Sequence, residues 1–390
     1  MKRRKICAVT TSRADFGLLR GLLKEIQSDS DLCLQVIASG MHLAPKFGRT
    51  WRDIEAEGIR IDRKISLGLT GGSSLANLKA ISVGVAGFAK AFAELKPEIV
   101  VLLGDRFELL APAISALMLG IPIAHIHGGE LSEGSIDDSV RHAITKLASF
   151  HFAATETYRR RIIQMGESPD RVFNFGAPGL DQISASALLT RPQLEKELGL
   201  NLQDPIALVT YHPVTRDADS AEEQVRCVVA ALKASGLKAV FTMANADAQG
   251  ALINTRLRSV CALNPERFKW VPHLGHRRYL SCLKYFAVMA GNSSSGLTEA
   301  PSFRLPVVNI GDRQRGRVRA ANVIDVPCAR AAILRGIKQA LSPRFRASLI
   351  GMRNPYDRFH DGRASARIKN VLKRVELSDD SLRKSFYDLG

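Results

Sequence analysis

The run Ile99-Val100-Val101-Leu102-Leu103-Gly104-Asp105-Arg106 leads through residues 107–119 to Ile121-Pro122-Ile123-Ala124-His125-Ile126-His127-Gly128-Gly129-Glu130. Five consecutive apolar residues closed by a glycine predict a strand buried on both faces. Residues 107–119 read as a helix, and Ile121 to Ile126 as the next strand. Strand, helix and strand in this order predict a parallel βαβ unit. Polar residues cluster directly after each strand, where open α/β sheets place ligand sites.

The same cycle extends in both directions. Residues 5–10 predict a strand, Arg13 to Gly17 a polar loop, and Leu18, Leu19, Leu22, Leu23 and Ile26 one helix face. Residues 33–38 form a further strand with Ser39-Gly40-Met41-His42 at its exit, and 75–93 and 138–148 read as helices. Strands follow at 150–154 and at Val172 to Gly176. After an irregular stretch at 180–204 a second cycle begins. Its strands are Ile206 to Thr210, Leu237 to Met243, Phe268 to Val271, 285–290 and Leu305 to Ile310, with a helix at 220–235. The expected organisation is a Rossmann-like domain over 1–180, a second over 181–375, and a tail over 376–390. The final helix, ending at Val375, could cap either domain.

Composition narrows the partners. The 390 residues are 46% hydrophobic and 24% charged, which excludes a disordered, collagen-like or disulfide-scaffold chain. Lys and Arg number 55 against 38 Asp and Glu, and the +17 charge suggests an anionic partner. The basic start Met1-Lys2-Arg3-Arg4-Lys5 is followed by too short an apolar run for a signal peptide, so a buried first strand is expected there. No segment offers eighteen uninterrupted apolar residues, and no membrane contact is expected. Six cysteines without a CxxC pair read as reduced core thiols of a cytoplasmic protein.

The strand ends carry the chemistry. Gly291-Asn292-Ser293-Ser294-Ser295-Gly296 is a glycine-framed hydroxyl turn between a strand and a helix, suited to a phosphate. An ordinary turn with capping serines is the competing reading. There is no Walker lysine and no GxGxxG. Glu299 could accept both hydroxyls of a ribose, or be a surface glutamate. Arg313, Arg315, Arg317 and Arg319 suit an anion clamp, and Arg13 follows the first strand. The arginine run lacks interleaved aromatics, which argues against a nucleic-acid surface. Asp105, Glu130, Asp137 and Asp138 belong to one half, with His125, His127 and His142 nearby. Paired carboxylates can divide acid and base roles. A helix cap or an ion pair with Arg106 would equally account for one aspartate. No HExxH or close ligand cluster appears, so no metal is expected.

Together these motifs carry a resemblance. Thr11-Ser12-Arg13-Ala14-Asp15-Phe16, Gly104-Asp105-Arg106-Phe107-Glu108, His125 to Glu130, Ile136-Asp137-Asp138 with Arg141 to Lys146, and Gly291 to Gly296 follow the order seen in hydrolysing UDP-N-acetylglucosamine 2-epimerases. The branch resembled is that of bacterial sialic-acid and legionaminic-acid synthesis, and the similarity spans about residues 5–375. The resemblance implies a glycosyltransferase-B-like fold, two Rossmann-like domains flanking a cleft, with no bound cofactor. Arg13, His212, Ser294, Ser295, Glu299 and Arg313 would contact UDP, with Asn245 and Asp247 near the uridine. Asp105, His127, Glu130, Asp137 and Asp138 would handle protons. His127 stands where some relatives carry glutamate, so either it or Glu130 takes on proton transfer, or the sugar differs. The implied reaction releases UDP and N-acetylmannosamine by elimination and rehydration. A 2,4-diacetamido-2,4,6-trideoxy sugar is the alternative substrate. A glycosyltransferase, a non-catalytic nucleotide-sugar sensor and a nucleic-acid binder are the competing classes. A homodimer or homotetramer is expected from the resemblance.

Overall fold

A computed structural model describes residues 3–45, 48–69, 73–133, 136–185, 187–213, 221–244, 248–377 and 383–389. The chain forms two compact units. In the first, β1 (Arg4–Thr10), β2 (Leu32–Ser39), β3 (Arg63–Ile65), β4 (Ile99–Leu103), β5 (Ile123–Ile126), β6 (Phe150–Ala153) and β7 (Val172–Asn174) build one parallel sheet. Its order is β3-β2-β1-β4-β5-β6-β7. In the second, β8 (Ile206–Thr210), β9 (Lys238–Phe241), β10 (Phe268–Trp270), β11 (Val288–Gly291), β12 (Val307–Ile310) and β13 (Val323–Val326) follow the order β10-β9-β8-β11-β12-β13. Strand order reverses between β1 and β4 in one sheet and between β8 and β11 in the other. Ligand sites of open α/β sheets lie outside such reversals.

Both faces of the first sheet are covered, as its unbroken apolar strands require. On one side Ile6, Ala8, Val101 and Leu103 meet Phe16, Leu19, Leu23 and Ile26 of the helix Arg13–Gln27. On the other, Cys7, Val9, Val100 and Leu102 meet Phe88 and Phe92 of Ser74–Leu95, and Ile144 of Ile136–Leu147. In the second unit Val209, Phe241 and Ala290 pack against Val225, Val228 and Leu232 of Ala221–Ser235.

The chain's last segment departs from the expected boundary. Residues 356–390 belong to the first unit, not to a domain ending at 375. Ile368 and Leu372 of the helix Ala364–Arg374 join the core of the first helix. Lys369 and Lys373 pair with Asp29 at 3.0 and 2.8 Å, and Tyr356 meets the hydroxyl of Tyr158 at 2.8 Å.

Among the described residues, Ser74–Leu95 alone is long and apolar enough to cross a membrane by length and composition. It packs on the first sheet and on Leu110–Met118 through Ala80, Gly84, Phe88 and Phe92. Both helices leave apolar side chains uncovered, notably Leu75 (78% exposed), Leu78 (62%) and Met118 (77%). All six cysteines are free thiols.

Candidate functional site

In the first unit the polar groups gather beyond the carboxyl ends of β1, β4 and β5. The β1 exit is organised by Asp15. Its carboxylate accepts from the Thr10 and Thr11 hydroxyls, both at 2.8 Å, and from the backbone N–H of Thr11 and Ser12, both at 2.9 Å. Ser12 completes a capping box at the head of the following helix. His42, from the β2 exit, meets Thr10 at 3.0 Å and Thr50 at 2.8 Å. This network is buried, and it leaves the Arg13 side chain about half exposed, 3.7 Å from Asp53.

Asp105 follows β4 and is bonded to the guanidinium of Arg141. Arg141 is 1% exposed. Its Nη1 also donates to the Glu130 carbonyl at 2.9 Å and to Asp138 at 3.3 Å. Arg141 thereby ties the β4 exit, the β5 exit and the first turn of Ile136–Leu147 together. A buried cation needs such partners, because burying it unpaired is costly. The second oxygen of Asp138 faces His142 Nε2 at 3.6 Å. Of the two adjacent aspartates, Asp138 is thus the one engaged by Arg141 and His142, whereas Asp137 lies within electrostatic reach of Arg106. Arg106 itself pairs with Glu108 at 2.6 Å.

His125 and His127 do not act alike. His125 Nε2 donates to the Gly104 carbonyl at 2.8 Å, and its Nδ1 lies 3.1 Å from the Thr145 hydroxyl. Burial pushes its pKa down to about 3, so it is a neutral packing residue. His127 has left the strand: its φ is 65°, and strand alternation stops before it. Its Nδ1 lies 2.6 Å from Glu130 Oε1.

In the second unit Asn292 is the hub. It is fully buried, accepts from the His212 N–H at 2.7 Å and donates to the His212 carbonyl at 2.8 Å. Its own carbonyl accepts from Arg313 at 3.1 Å and Gln314 at 2.8 Å. The exits of β8, β11 and β12 are so joined through one residue, by its side-chain amide and its backbone carbonyl. Gly291 (φ 137°) makes the close approach possible, since a Cβ there would overlap the Thr210 carbonyl. Burial first, and the Arg313 charge second, push His212 down to about 3.

The hydroxyl turn differs from its expected form. The helix after it spans only Ser295–Thr298, and Ser294 begins it without a side-chain cap. Gly296 and Leu297 N–H groups are used by Ser293 and Ser294 carbonyls at 3.1 and 2.9 Å. Anion donors here are therefore chiefly side chains. Tyr279 reaches the Ser295 hydroxyl at 2.7 Å. Burial raises the Glu299 carboxyl above its ordinary range, opposed by a bond from Ser295. Asn245 and Asp247 lie outside the described residues. No group of three or more His, Cys, Asp or Glu among the described residues is placed to hold a metal.

Arg141, Asn292 and Tyr279 received no role from sequence. Arg141 stands beside Val140 and one turn from Ile144 and Thr145, all buried on one helix face. That spacing was the available signal.

The profile of the UDP-N-acetylglucosamine 2-epimerase family matches residues 24–373. The chain belongs to this family. The epimerase is 43% identical over 326 residues to a hydrolysing GDP/UDP-N,N'-diacetylbacillosamine 2-epimerase of Campylobacter jejuni, covering 83% of this chain and 85% of that one. It is 40% identical over 382 residues to a hydrolysing UDP-N,N'-diacetylbacillosamine 2-epimerase of Legionella pneumophila, covering 98% of each. A UDP-N-acetylglucosamine 2-epimerase of Neisseria meningitidis is 30% identical over 99% of this chain and 100% of that one. A crystal structure of the Neisseria meningitidis UDP-GlcNAc 2-epimerase bound to UDP-GlcNAc superposes with a TM-score of 0.81 at 17% identity, covering 94% and 99% of the two chains. That likeness shows the glycosyltransferase-B-like fold of two Rossmann-like domains.

The buried histidines of this epimerase set a pH dependence. Folded, His125 and His212 stay neutral down to about pH 3, whereas in the unfolded chain they take up protons below about pH 6.5. Between those values the unfolded state binds more protons. Stability is whole above about pH 6.5 and falls toward pH 3, by about 1.4 kcal/mol per pH unit for each histidine. Urea unfolding should show His125→Gln losing about 2 kcal/mol less than the parent between pH 7 and pH 5. An identical loss would contradict the neutral buried imidazole.

Proposed function

We propose that this enzyme is a hydrolysing UDP-sugar 2-epimerase whose substrate is UDP-N,N'-diacetylbacillosamine, a 2,4-diacetamido-2,4,6-trideoxyglucose. The sequence alone favours UDP-N-acetylglucosamine. The identities to relatives support the diacetamido sugar instead, at 43% and 40% against 30% for a UDP-N-acetylglucosamine enzyme. That gradient is the observation that carries the choice of sugar.

Residues of the second unit hold the nucleotide. Arg313 supplies the charge for the diphosphate, and His212, kept neutral by burial, acts through hydrogen bonds. Ser294 and Ser295 add hydroxyl donors, and Glu299 takes the ribose. Arg13, on the first unit, adds a half-exposed cation. Stabilising the departing diphosphate is the larger part of the task, because oriented donors act where charge develops. Residues of the first unit move protons. A base takes the C2 proton while UDP leaves C1, giving a 2-acetamidoglycal. Water then adds at C1, and a proton returns to C2 on the opposite face. The sum is UDP-sugar and water giving UDP and the free 2-epimer. Asp105 and Asp137 are the carboxylates that stabilise the positive charge developing at C1 and return the proton to C2.

Phosphorus and proton NMR of both UDP-sugars in deuterated water tests the reading. The expected outcome is faster release of UDP from the diacetamido substrate, with one deuterium at C2 of a free, epimerised product. A sugar that stays on the nucleotide overturns hydrolysis. Preference for UDP-N-acetylglucosamine overturns the substrate choice alone.

We also infer self-association. The uncovered apolar side chains of Ser74–Leu95 and Leu110–Met118 support burial against a second copy. Light scattering should show a dimer or tetramer that Leu78→Glu with Met118→Glu reduces to a monomer. An unchanged mass would place the interface elsewhere.

A further inference from the structure

His127 presents one side of its ring to a partner and the other to none among the described residues. The residue is 9% exposed and sits just past β5 with φ 65°. A non-glycine residue persists in that conformation only where its surroundings over-determine it, and such residues gather at working sites. Here the His127 N–H donates to the Phe152 carbonyl at 3.0 Å. Gly129 continues the turn at φ 74°, where a Cβ would overlap the Tyr158 carbonyl. The imidazole Nδ1 is then fixed 2.6 Å from Glu130 Oε1. An ionised carboxylate only accepts hydrogen bonds, so Nδ1 carries the ring proton and Nε2 is a bare lone pair. Nε2 is buried and has no hydrogen-bond partner among the described residues. A buried polar atom left unpaired in a folded protein calls for an explanation, and a ligand is one.

We propose that His127 Nε2 is the base that takes the C2 proton, and that Glu130 is a positioning residue that never touches the sugar. This rests on the hydrolysing-epimerase reading, not on which sugar is bound. The Nε2 lone pair forms the new N–H bond. The C2–H electron pair becomes the C1–C2 double bond, the C1–O bond breaks, and its electrons leave with UDP. Glu130 lies against the resulting imidazolium and offsets its charge. In the second half water supplies the C1 oxygen, a proton reaches C2 from the opposite face, and His127 returns its proton to solvent.

The test uses whichever UDP-sugar the parent enzyme turns over, so a failed substrate choice leaves it intact. A parent that releases no UDP from either sugar would instead sink the hydrolytic reading. His127→Gln should lower kcat at least a hundredfold, and His127→Glu, which keeps a base there, should recover at least tenfold of that loss. Glu130→Gln should cost roughly ten- to a hundredfold in kcat with KM little changed. Melting temperature and circular dichroism check that each variant is folded. Full turnover in His127→Gln overturns the base. Complete loss in folded Glu130→Gln, or a KM that rises as far as kcat falls, overturns the positioning role.

Discussion

Arg141 is the residue on which the first unit's chemistry depends. Its guanidinium is almost wholly buried, yet it serves Asp105, Asp138 and the Glu130 carbonyl at once. A planar fork of donors does this; a point charge on a flexible stem would not. Three segments that are distant in sequence are held in one arrangement by it: the loop after β4, the loop after β5 and the head of the helix Ile136–Leu147. Removing one member of such a buried set leaves charge without compensation, at about 3–5 kcal/mol. On the proposed function the same residue bears on reactivity as well as stability, because proton transfer is sensitive to small displacements.

The second unit solves a parallel problem with a neutral group. Asn292 links three strand exits through its side-chain amide and its carbonyl. It can do so because Gly291 lets β11 close on the Thr210 carbonyl. Arg313 is thereby fixed against the β11 exit. The excess positive charge of the chain reads differently in this light. Lys369, Lys373 and Arg319 are committed to Asp29 and Asp325, so part of the excess is internal to the fold.

Much of this was legible in the residues. Ile99–Leu103 and Ile206–Thr210 are strands at the limits their unbroken apolar runs imply. The two short edge strands β3 and β13 were not anticipated. Arg63 and Lys64 occupy β3, and Asp325 sits within β13, so neither presents an apolar run. The allegiance of Ala364–Arg374 was also hidden, because an amphipathic helix does not say which core it covers. At the site, residue types were readable but commitments were not. Asp137 and Asp138 are adjacent and chemically alike, and the sequence does not say that Asp138 is one that Arg141 and His142 meet. An arginine on a helix ordinarily reads as solvated, which concealed Arg141. Whether His127 still pointed along the strand depended on a left-handed backbone that no periodicity reveals.

The claim that Arg141 organises the proton-transferring half is tested most directly by turnover in Arg141→Met and Arg141→Lys, measured beside UDP affinity and melting temperature. The account predicts that both folded variants lose at least ~100-fold in kcat while binding UDP within about twofold of the parent, since the nucleotide is held by other residues. Near-parental turnover in folded Arg141→Met would contradict it.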